Sequence, residues 1–243
     1  MNRGTLTVFA IALCCAFHAP QAGAAPLGPD VVPPRTAVTF RAAAGGGWST
    51  ANEHESRAAL SLVKLYLADY ALRHGDGAPS DRELAERMIR YSDDGAATAT
   101  EAKYPRAIEA IAAEYHLADT HPYGEWGMAA TSTADIAEFL ITKLRDDRSS
   151  PIFEWMAAAG ATAADGTEQD WGTARWPLVQ GTKWGWSDLG PPDVASASYG
   201  TGFVVVAHTH GTAAEQTLDL MAAMPLATVG MFVPSQPARQ QVR

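Results

Sequence analysis

The stretch ALSLVKLYL, residues 59–67, is the segment from which the rest of this chain is interpreted. Its apolar side chains recur at helical spacing and continue to Ala71, which predicts a mostly buried helix. Only two polar residues, Ser61 and Lys64, interrupt the pattern. Because residues three apart lie on one side of a helix, we expect the amine of Lys64 beside the hydroxyl of Ser61.

Two interpretations of this pair are open. A lysine in an apolar helix loses solvation, so its pKa falls, and a neutral amine beside a serine hydroxyl is a base next to a latent nucleophile. Alternatively, Ser61 caps the helix and the side chain of Lys64 extends to water.

The N-terminal sequence indicates export. Arg3 precedes an apolar run at residues 6–17, and small residues follow at Ala22-Gly23-Ala24-Ala25. This order is typical of a secretory signal peptide, and the apolar run is too short to span a bilayer. We therefore predict a secreted or cell-envelope protein, with a signal peptide at 1–25, a proline-rich linker at 26–36, one domain at 37–232 and a flexible tail at 233–243.

The composition argues against several functional classes. Both cysteines, Cys14 and Cys15, lie in the predicted signal peptide, where a lipid anchor is an alternative. The exported domain would then have no disulfide and no thiolate chemistry. The chain has a formal net charge of −9 and no basic run, which argues against binding to nucleic acid or to an anionic membrane surface. We expect a monomer without a membrane span.

The order of predicted elements indicates an α+β fold. A strand at 37–40 and a turn or hairpin at 42–49 precede the helix that contains Ser61. The capping box Thr212-x-x-Glu215 opens a C-terminal helix. We expect an antiparallel sheet, a separate cluster of helices, and this last helix packed on the sheet. The other predicted segments are helices at 60–74, 80–90 (opened by Ser80-x-x-Glu83), 105–116, 133 onward and 151–160, and β-rich runs at 176–186 and 198–208.

Three short motifs lie along these elements. Ser61-Leu62-Val63-Lys64 opens a helix, Ser92-Asp93-Asp94 lies in a turn between helices, and Lys183-Trp184-Gly185 lies on a strand. They resemble the SxxK, SDN and KTG motifs of penicillin-binding proteins and class A β-lactamases, in the same order. The resemblance covers roughly residues 37–224 and implies the β-lactamase/transpeptidase-like fold.

The resemblance implies a role for each matched residue. Ser61 would be the acylated nucleophile, and Lys64 would take its proton directly or through water. Ser92 would relay protons toward the leaving group. Lys183 would supply positive charge for a substrate carboxylate and for proton transfer. The backbone amides of Ser61 and Trp186 would form the oxyanion hole.

The chain departs from the family motifs at two of these positions. Asp94 stands where the family has asparagine; an ionised carboxylate cannot donate a hydrogen bond to substrate, and it could instead hold Lys64 protonated. Trp184 stands where a threonine or serine would bind a substrate carboxylate. Together with Gly185 and Trp186, these two residues are the expected substrate-binding positions.

A third departure concerns deacylation. Class A β-lactamases carry a glutamate in an E-x-x-L-N loop, which the stretch at 124–131 lacks. Glu125 is the only carboxylate nearby that could activate water; otherwise it is a solvated loop residue.

These observations lead to two functional hypotheses. The motifs predict an exported serine acyl-enzyme hydrolase that acts on a small-molecule β-lactam or a cell-wall peptide amide, without a cofactor. The departures favour the alternative, a catalytically degenerate domain that binds a cell-envelope ligand or partner.

One further pair of residues has a metal-binding pattern. His208-Thr209-His210 at a strand end places two imidazoles on one face, which is two thirds of a metal site. The sequence offers no third ligand with helpful spacing, and we therefore expect no metal.

Overall fold

The computed structural model describes residues 31–230, with side chains described through residue 223. The predicted signal peptide with its two cysteines, the first half of the predicted linker and the predicted tail at 233–243 lie outside the described residues. The second half of the linker packs on the domain. Val32 is buried there, and the Arg35 guanidinium binds the Asp219 carboxylate at 2.9 Å.

The described chain contains seven α-helices. The helix predicted from residues 59–67 begins with a 3₁₀ turn, Leu60–Val63, and continues as the first α-helix. Ser132 caps the fifth helix by accepting a hydrogen bond from the Asp135 amide at 3.1 Å. The helices are α1 (Lys64–His74), α2 (Pro79–Tyr91), α3 (Asp94–Lys103), α4 (Ala107–Glu114), α5 (Thr133–Asp146), α6 (Pro151–Ala157) and α7 (Ala213–Gly230).

A five-stranded antiparallel sheet joins the two ends of the domain. Its spatial order is β2-β1-β7-β6-β5, so the N-terminal hairpin adds to the edge of a C-terminal meander. A separate two-stranded sheet pairs β3 with β4. The strands are β1 (Thr36–Ala42), β2 (Gly47–Ser49), β3 (Arg57–Ala58), β4 (Ala130–Thr131), β5 (Val179–Trp186), β6 (Val194–Gly200) and β7 (Phe203–Thr209).

The sheet is covered on both faces. Along the central strand β7, Val204 and Val206 pack into the core shared with the helices α1, α2, α5 and α6, while Val205 packs on the opposite face near Leu220 of α7. Side chains alternate between the faces of a strand, and burial of both faces explains why the run Val204–Val206 is continuously apolar. The predicted α+β fold, with α7 packed on the sheet, is confirmed.

Three local predictions were wrong. Helix α2 begins at Pro79 rather than with a Ser80 capping box, because proline suits the first turn of a helix. Helix α3 was not predicted; it is rich in alanine and threonine and has no apolar stripe, but the Asp93 carboxylate caps it by accepting from the Ala96 amide at 3.0 Å. The β-rich run predicted at 198–208 spans the end of β6 and most of β7, which a turn at Gly202 joins with φ of +76°; β6 begins already at Val194, in a stretch predicted as a connection.

The C-terminal capping box is present as predicted. The Thr212 amide donates to the Glu215 carboxylate at 2.8 Å, and the Glu215 amide donates to the Thr212 hydroxyl at 3.2 Å. Among the helices of residues 31–230, none combines the length and the apolar character needed to cross a membrane.

Candidate active site

Three segments that are distant along the chain meet at one point. Ser61 lies in the 3₁₀ turn before α1, with Lys64 at the first position of that helix. Ser92 ends helix α2, and Lys183 lies on strand β5. All four side chains are buried. The three motifs of the sequence analysis are therefore brought together in space.

The amine of Lys64 has three close partners. It lies 2.8 Å from the Ser61 hydroxyl oxygen and 2.7 Å from the Ser92 carbonyl oxygen, and it forms an ion pair with the Asp94 carboxylate. An ammonium group has three N–H donors, and these three acceptors match them. The interpretation in which Lys64 extends to water is therefore wrong, because its side chain is completely buried.

The amine of Lys183 has a different environment. It lies 2.7 Å from the Ser92 hydroxyl oxygen and 2.7 Å from the Trp184 carbonyl oxygen, and none of its hydrogen-bond partners among the described residues is a carboxylate. The Ser92 hydroxyl is also 3.5 Å from the Lys64 amine. A continuous polar chain therefore runs from Ser61 through Lys64 and Ser92 to Lys183.

The two lysines differ in their electrostatic balance. Burial lowers the pKa of Lys64 below its ordinary value, and the ion pair with Asp94 opposes this by raising it. Burial lowers the pKa of Lys183 well below its ordinary value, and the positive charge of Lys64 lowers it further. Because no carboxylate in the described part of the chain bonds Lys183, it is the lysine that more readily becomes a neutral amine.

The backbone around the motifs is strained at two positions. Leu60, just before Ser61, has φ of +51°, and Ser92 has φ of +52°. Non-glycine residues in this left-handed region cost about 1–3 kcal/mol each and concentrate at functional sites. In Ser92 the left-handed conformation ends α2 and turns both the carbonyl and the hydroxyl oxygen toward the two lysines.

Strand β5 lies directly against the Ser61 turn. A Cβ atom added to Gly185 would be 2.7 Å from the Ser61 backbone nitrogen and 2.9 Å from the Leu60 Cβ. Glycine at this position therefore allows a close approach that any larger residue would prevent. The end of β5 therefore lies beside the Ser61 backbone amide. The resemblance implies that the backbone amides of Ser61 and Trp186 form the oxyanion hole at this position.

Ser61 lines a cleft with a volume of about 570 Å³. Aromatic and aliphatic residues form part of its wall, and the ring of Trp126 lies 4.6 Å from the Lys64 amine. Neither lysine nor arginine is among the residues that line the cleft in the described part of the chain. Four acidic residues line it: Asp94, Glu125, Asp165 and Asp188.

The predicted substrate-binding residues occupy different surroundings. Asp94 and Trp186 line the cleft, and Gly185 faces the Ser61 backbone. The indole of Trp184 instead packs with Trp171 and Val194, and its N–H donates to the Trp171 carbonyl at 2.9 Å. The indole N–H of Trp184 is therefore already engaged, and the role of Trp184 in substrate binding stays a prediction.

Glu125 lies in the same cleft as Ser61, just before a short 3₁₀ helix, Trp126–Met128. In residues 31–230 its carboxylate has no direct hydrogen bond to Ser61 or Lys64. Its role in activating water therefore stays a prediction.

Three aromatic or acidic residues that line the cleft were not predicted from the sequence: Trp126, Asp165 and Asp188. Trp126 lies in the short 3₁₀ helix and Asp188 in the connection between β5 and β6, and neither belongs to a motif. Asp165 accepts a hydrogen bond from the Trp186 indole at 3.1 Å. Partial burial raises the pKa of Asp165, but hydrogen bonds from Thr167 and Trp186 outweigh this and leave the pKa below its ordinary value.

Comparison with known proteins identifies the fold. No protein-family model matches the chain, and no curated protein matches its sequence. Solved structures do match. Penicillin-binding protein D2 from Listeria monocytogenes, in its cefotaxime-bound form, superposes with a TM-score of 0.59 at 16% identity, covering 79% of this chain and 96% of that one. The β-lactamase from Sphaerobacter thermophilus gives 0.61 at 14% identity, covering 82% and 93%.

A carboxypeptidase matches as well. D-alanyl-D-alanine carboxypeptidase from Mycobacterium tuberculosis H37Rv gives a TM-score of 0.58 at 17% identity, covering 88% of this chain and 96% of that one. The chain therefore has the fold of the β-lactamases and penicillin-binding proteins, and the resemblance seen in the three motifs is confirmed at the level of the fold.

Proposed function

We propose that this protein is an exported serine acyl-enzyme hydrolase that uses Ser61 as its nucleophile. One observation carries the proposal: the polar chain from Ser61 through Lys64 and Ser92 to Lys183 begins at the wall of the cleft and ends at a buried amine without a carboxylate partner. A hydroxyl linked to such an amine is an activated nucleophile. The fold of the β-lactamases and penicillin-binding proteins supports the same reaction class.

The first chemical step is acylation. A protonated Lys64 has no free lone pair, so it first passes a proton to the Ser92 oxygen while the Ser92 proton moves to neutral Lys183. The Ser61 oxygen then attacks the substrate carbonyl carbon, and its proton passes to the Lys64 amine, which is now neutral. The net result is one O–C bond formed and one proton stored on Lys183. Backbone amides at Ser61 and Trp186 would stabilise the developing oxyanion.

The second step releases the leaving group. The bond between the carbonyl carbon and the leaving nitrogen or oxygen breaks, and the leaving atom takes the stored proton back along the chain through Ser92. Water then attacks the ester carbon, with Glu125 as the proposed group that accepts a proton from that water; the C–O bond to Ser61 breaks, and the proton returns to the Ser61 oxygen. Each turnover returns Lys183 to its neutral state.

The substrate class follows from the motifs and from the charge of the cleft. The motifs support a β-lactam or a cell-wall peptide amide. Among the residues that the structure describes, four acidic residues and no basic residue line the cleft, and the Trp184 indole N–H is engaged elsewhere. The acidic residues of the cleft would repel a substrate carboxylate next to the scissile bond. We therefore propose a substrate whose group next to the scissile bond is neutral or cationic.

Two aryl esters with the same acyl group test this charge preference. One leaving group carries a trimethylammonium group and the other a carboxylate, and each rate is divided by the uncatalysed rate in the same buffer. We expect the cationic ester to react about tenfold faster at low salt, with a smaller ratio at high salt because ions screen the cleft. The double variant D165N/D188N should also reduce the ratio. A faster reaction of the anionic ester would contradict the preference without affecting the role of Ser61.

Intact-mass spectrometry tests the proposed function itself. The purified protein is incubated with a penicillin or a fluorophosphonate probe, and its mass is followed over time. We expect a single adduct on Ser61 with at least one probe. An adduct that persists indicates acylation without efficient deacylation, and one that decays while product accumulates indicates full turnover.

The alternative function is binding without turnover, in a catalytically degenerate domain. Two observations favour it: the Asp94 carboxylate is paired with Lys64, and the position of the family's substrate-binding hydroxyl holds Trp184. It predicts no adduct with either probe at any pH, and any adduct that depends on Ser61 excludes it.

The pairing of Asp94 with Lys64 leads to a pH prediction. Asp94 raises the pKa of both Lys64 and Lys183, so D94N should lower both, and the acylation rate should begin to rise at a lower pH. A close opposite charge changes a pKa by about 1–3. Because the Asp94 side chain is 62% exposed, we expect the pH profile of acylation in D94N to move toward lower pH by about one pH unit.

The rate of probe labelling from pH 5 to 10 measures this displacement. The matched control is D188N, which removes an acidic side chain from the same cleft but not from Lys64. A pH profile unchanged in D94N, or displaced equally in D188N, would contradict the prediction.

A further inference from the structure

A second cluster of potential ligands lies at one end of the sheet. His208 is the penultimate residue of β7, His210 follows that strand, and Asp193 immediately precedes β6. The two strands are antiparallel neighbours, with Val194 opposite Thr209. The sequence predicts two imidazoles on one strand face but no third ligand; Asp193, just before the neighbouring strand, supplies it.

The three donor atoms are already close together. The Asp193 Oδ1 lies 2.9 Å from the His208 Nε2 and 3.1 Å from the His210 Nδ1, and all three atoms lie within 4.8 Å of one another. In a tetrahedral site with metal–ligand bonds of about 2.0–2.2 Å, the ligand atoms are about 3.3 Å apart. A metal ion therefore needs side-chain movements of only a few tenths of an ångström at the two measured pairs.

The supporting residues hold the ligands in place. The Ser187 hydroxyl accepts from the Asp193 amide at 3.1 Å, and the Arg57 guanidinium donates to the His208 carbonyl at 3.1 Å. Arg57 also brings a positive charge, but it is paired with the Glu55 carboxylate at 2.7 Å. The other oxygen of Glu55 lies 4.0 Å from the His210 Nε2. A carboxylate near the second nitrogen of a metal-binding histidine is a typical supporting contact, because it orients the ring.

We propose that Asp193, His208 and His210 form a zinc site. Two imidazoles and one carboxylate without a thiolate suit zinc and its neighbours in the transition series, and all-oxygen sites suit calcium and magnesium instead. His210 is half exposed, so the ion can enter from solvent, and water completes the coordination. The simpler alternative is that Asp193 only accepts hydrogen bonds from the two imidazoles.

The place of this site in the fold indicates what it does. Asp193 ends the segment 187–193 between β5 and β6, and the same segment contributes Asp188 and Leu189 to the wall of the cleft. A metal bound by Asp193 and by both histidines cross-links this segment to the end of β7. The ion therefore has a structural role: it holds the segment 187–193 in place on one side of the cleft and takes no part in acyl transfer.

Isothermal titration with zinc chloride tests the proposal on the full chain, purified without a histidine tag and treated with EDTA. We expect one zinc ion per chain and a rise in melting temperature with zinc concentration, because a ligand that binds only the folded state stabilises it. Cobalt(II) should give the visible absorption of a low-symmetry, tetrahedral site. Neither readout depends on Ser61.

Two variants and one control decide the outcome. H210A removes an exposed ligand and D193N removes the shared carboxylate charge, so both should abolish the stoichiometric binding and the shift in melting temperature. The control is H54A, since His54 forms a similar exposed pair with Asp119 at 2.9 Å. Absence of binding to the original protein, or binding that H210A leaves unchanged, would overturn the proposal and leave Asp193 as a hydrogen-bond acceptor only.

Discussion

Replacing Ser61 with alanine should abolish covalent labelling by fluorophosphonate or penicillin probes. Alanine has no nucleophilic oxygen, so no adduct can form at position 61. Hydrolysis of a substrate by the variant should fall by a factor on the order of 10³ or more, because only the part of the rate that arises from binding and the oxyanion hole remains.

The fold should survive this substitution. The Ser61 oxygen accepts a hydrogen bond from Lys64, which keeps its contacts with the Ser92 carbonyl and with Asp94 in the variant. One unpaired donor costs about 1–3 kcal/mol, a loss that a domain with this much buried apolar surface tolerates. The melting temperature should therefore fall only slightly.

Intact-mass spectrometry after a timed incubation measures the labelling of Ser61. Ser56→Ala is the matched control, because the Ser56 hydroxyl is exposed and donates to the Asp119 carbonyl away from the cleft. Labelling of S61A at the original rate would place the nucleophile elsewhere. No labelling of either the original protein or the control would favour the degenerate binding domain.

Replacing Lys183 with methionine should produce the second largest effect. In the proposed mechanism Lys183 stores the proton that leaves Ser61, and a thioether cannot accept it. General acid–base catalysis typically contributes about 10²–10⁴-fold, and we expect acylation to slow by that range. Methionine has a similar length and no charge, so it should fit the buried site between Ser92 and Trp184.

The pH dependence separates a proton-accepting role from a structural one. Acylation in the original protein should fall when the pH drops below the pKa of Lys183, because the amine is then protonated; burial places this pKa well below its ordinary value. The K183M variant should show no such fall of the acylation rate at low pH, and it should react slowly with the probe at every pH. The control is K103M, since Lys103 is paired with Asp76 and Asp81 away from the site.

Two results would contradict the role of Lys183. One is a K183M variant that labels at the original rate, which would mean that Lys64 alone is the base. The other is a slow variant that keeps the original pH profile, which would mean that Lys183 only supports the geometry of the site. A comparison of melting temperatures with K103M shows whether the fold itself is affected.

Much of the fold follows from local sequence patterns. Helical spacing located α1, a helix was predicted from residue 133 where α5 begins, the Thr212 capping box located the start of α7, and the β-rich run at 198–208 located most of β7. These features depend on side chains that are neighbours in sequence. Helix α3 was missed because no apolar stripe marks it, and β6 was missed because its small residues, such as Ala195 and Ser196, are weak strand formers.

The sequence by itself determined which chemical groups the site contains, since each motif holds its hydroxyl or amine at fixed local spacing on a helix or strand. Only the tertiary structure decided what each group contacts: Asp94 pairs with Lys64, the Trp184 indole binds Trp171, and Asp193 joins His208 across two strands. The physical reason is that charge, burial and hydrogen bonding act through space over a few ångströms. Their partners come from segments far apart in the chain, which no local spacing can specify.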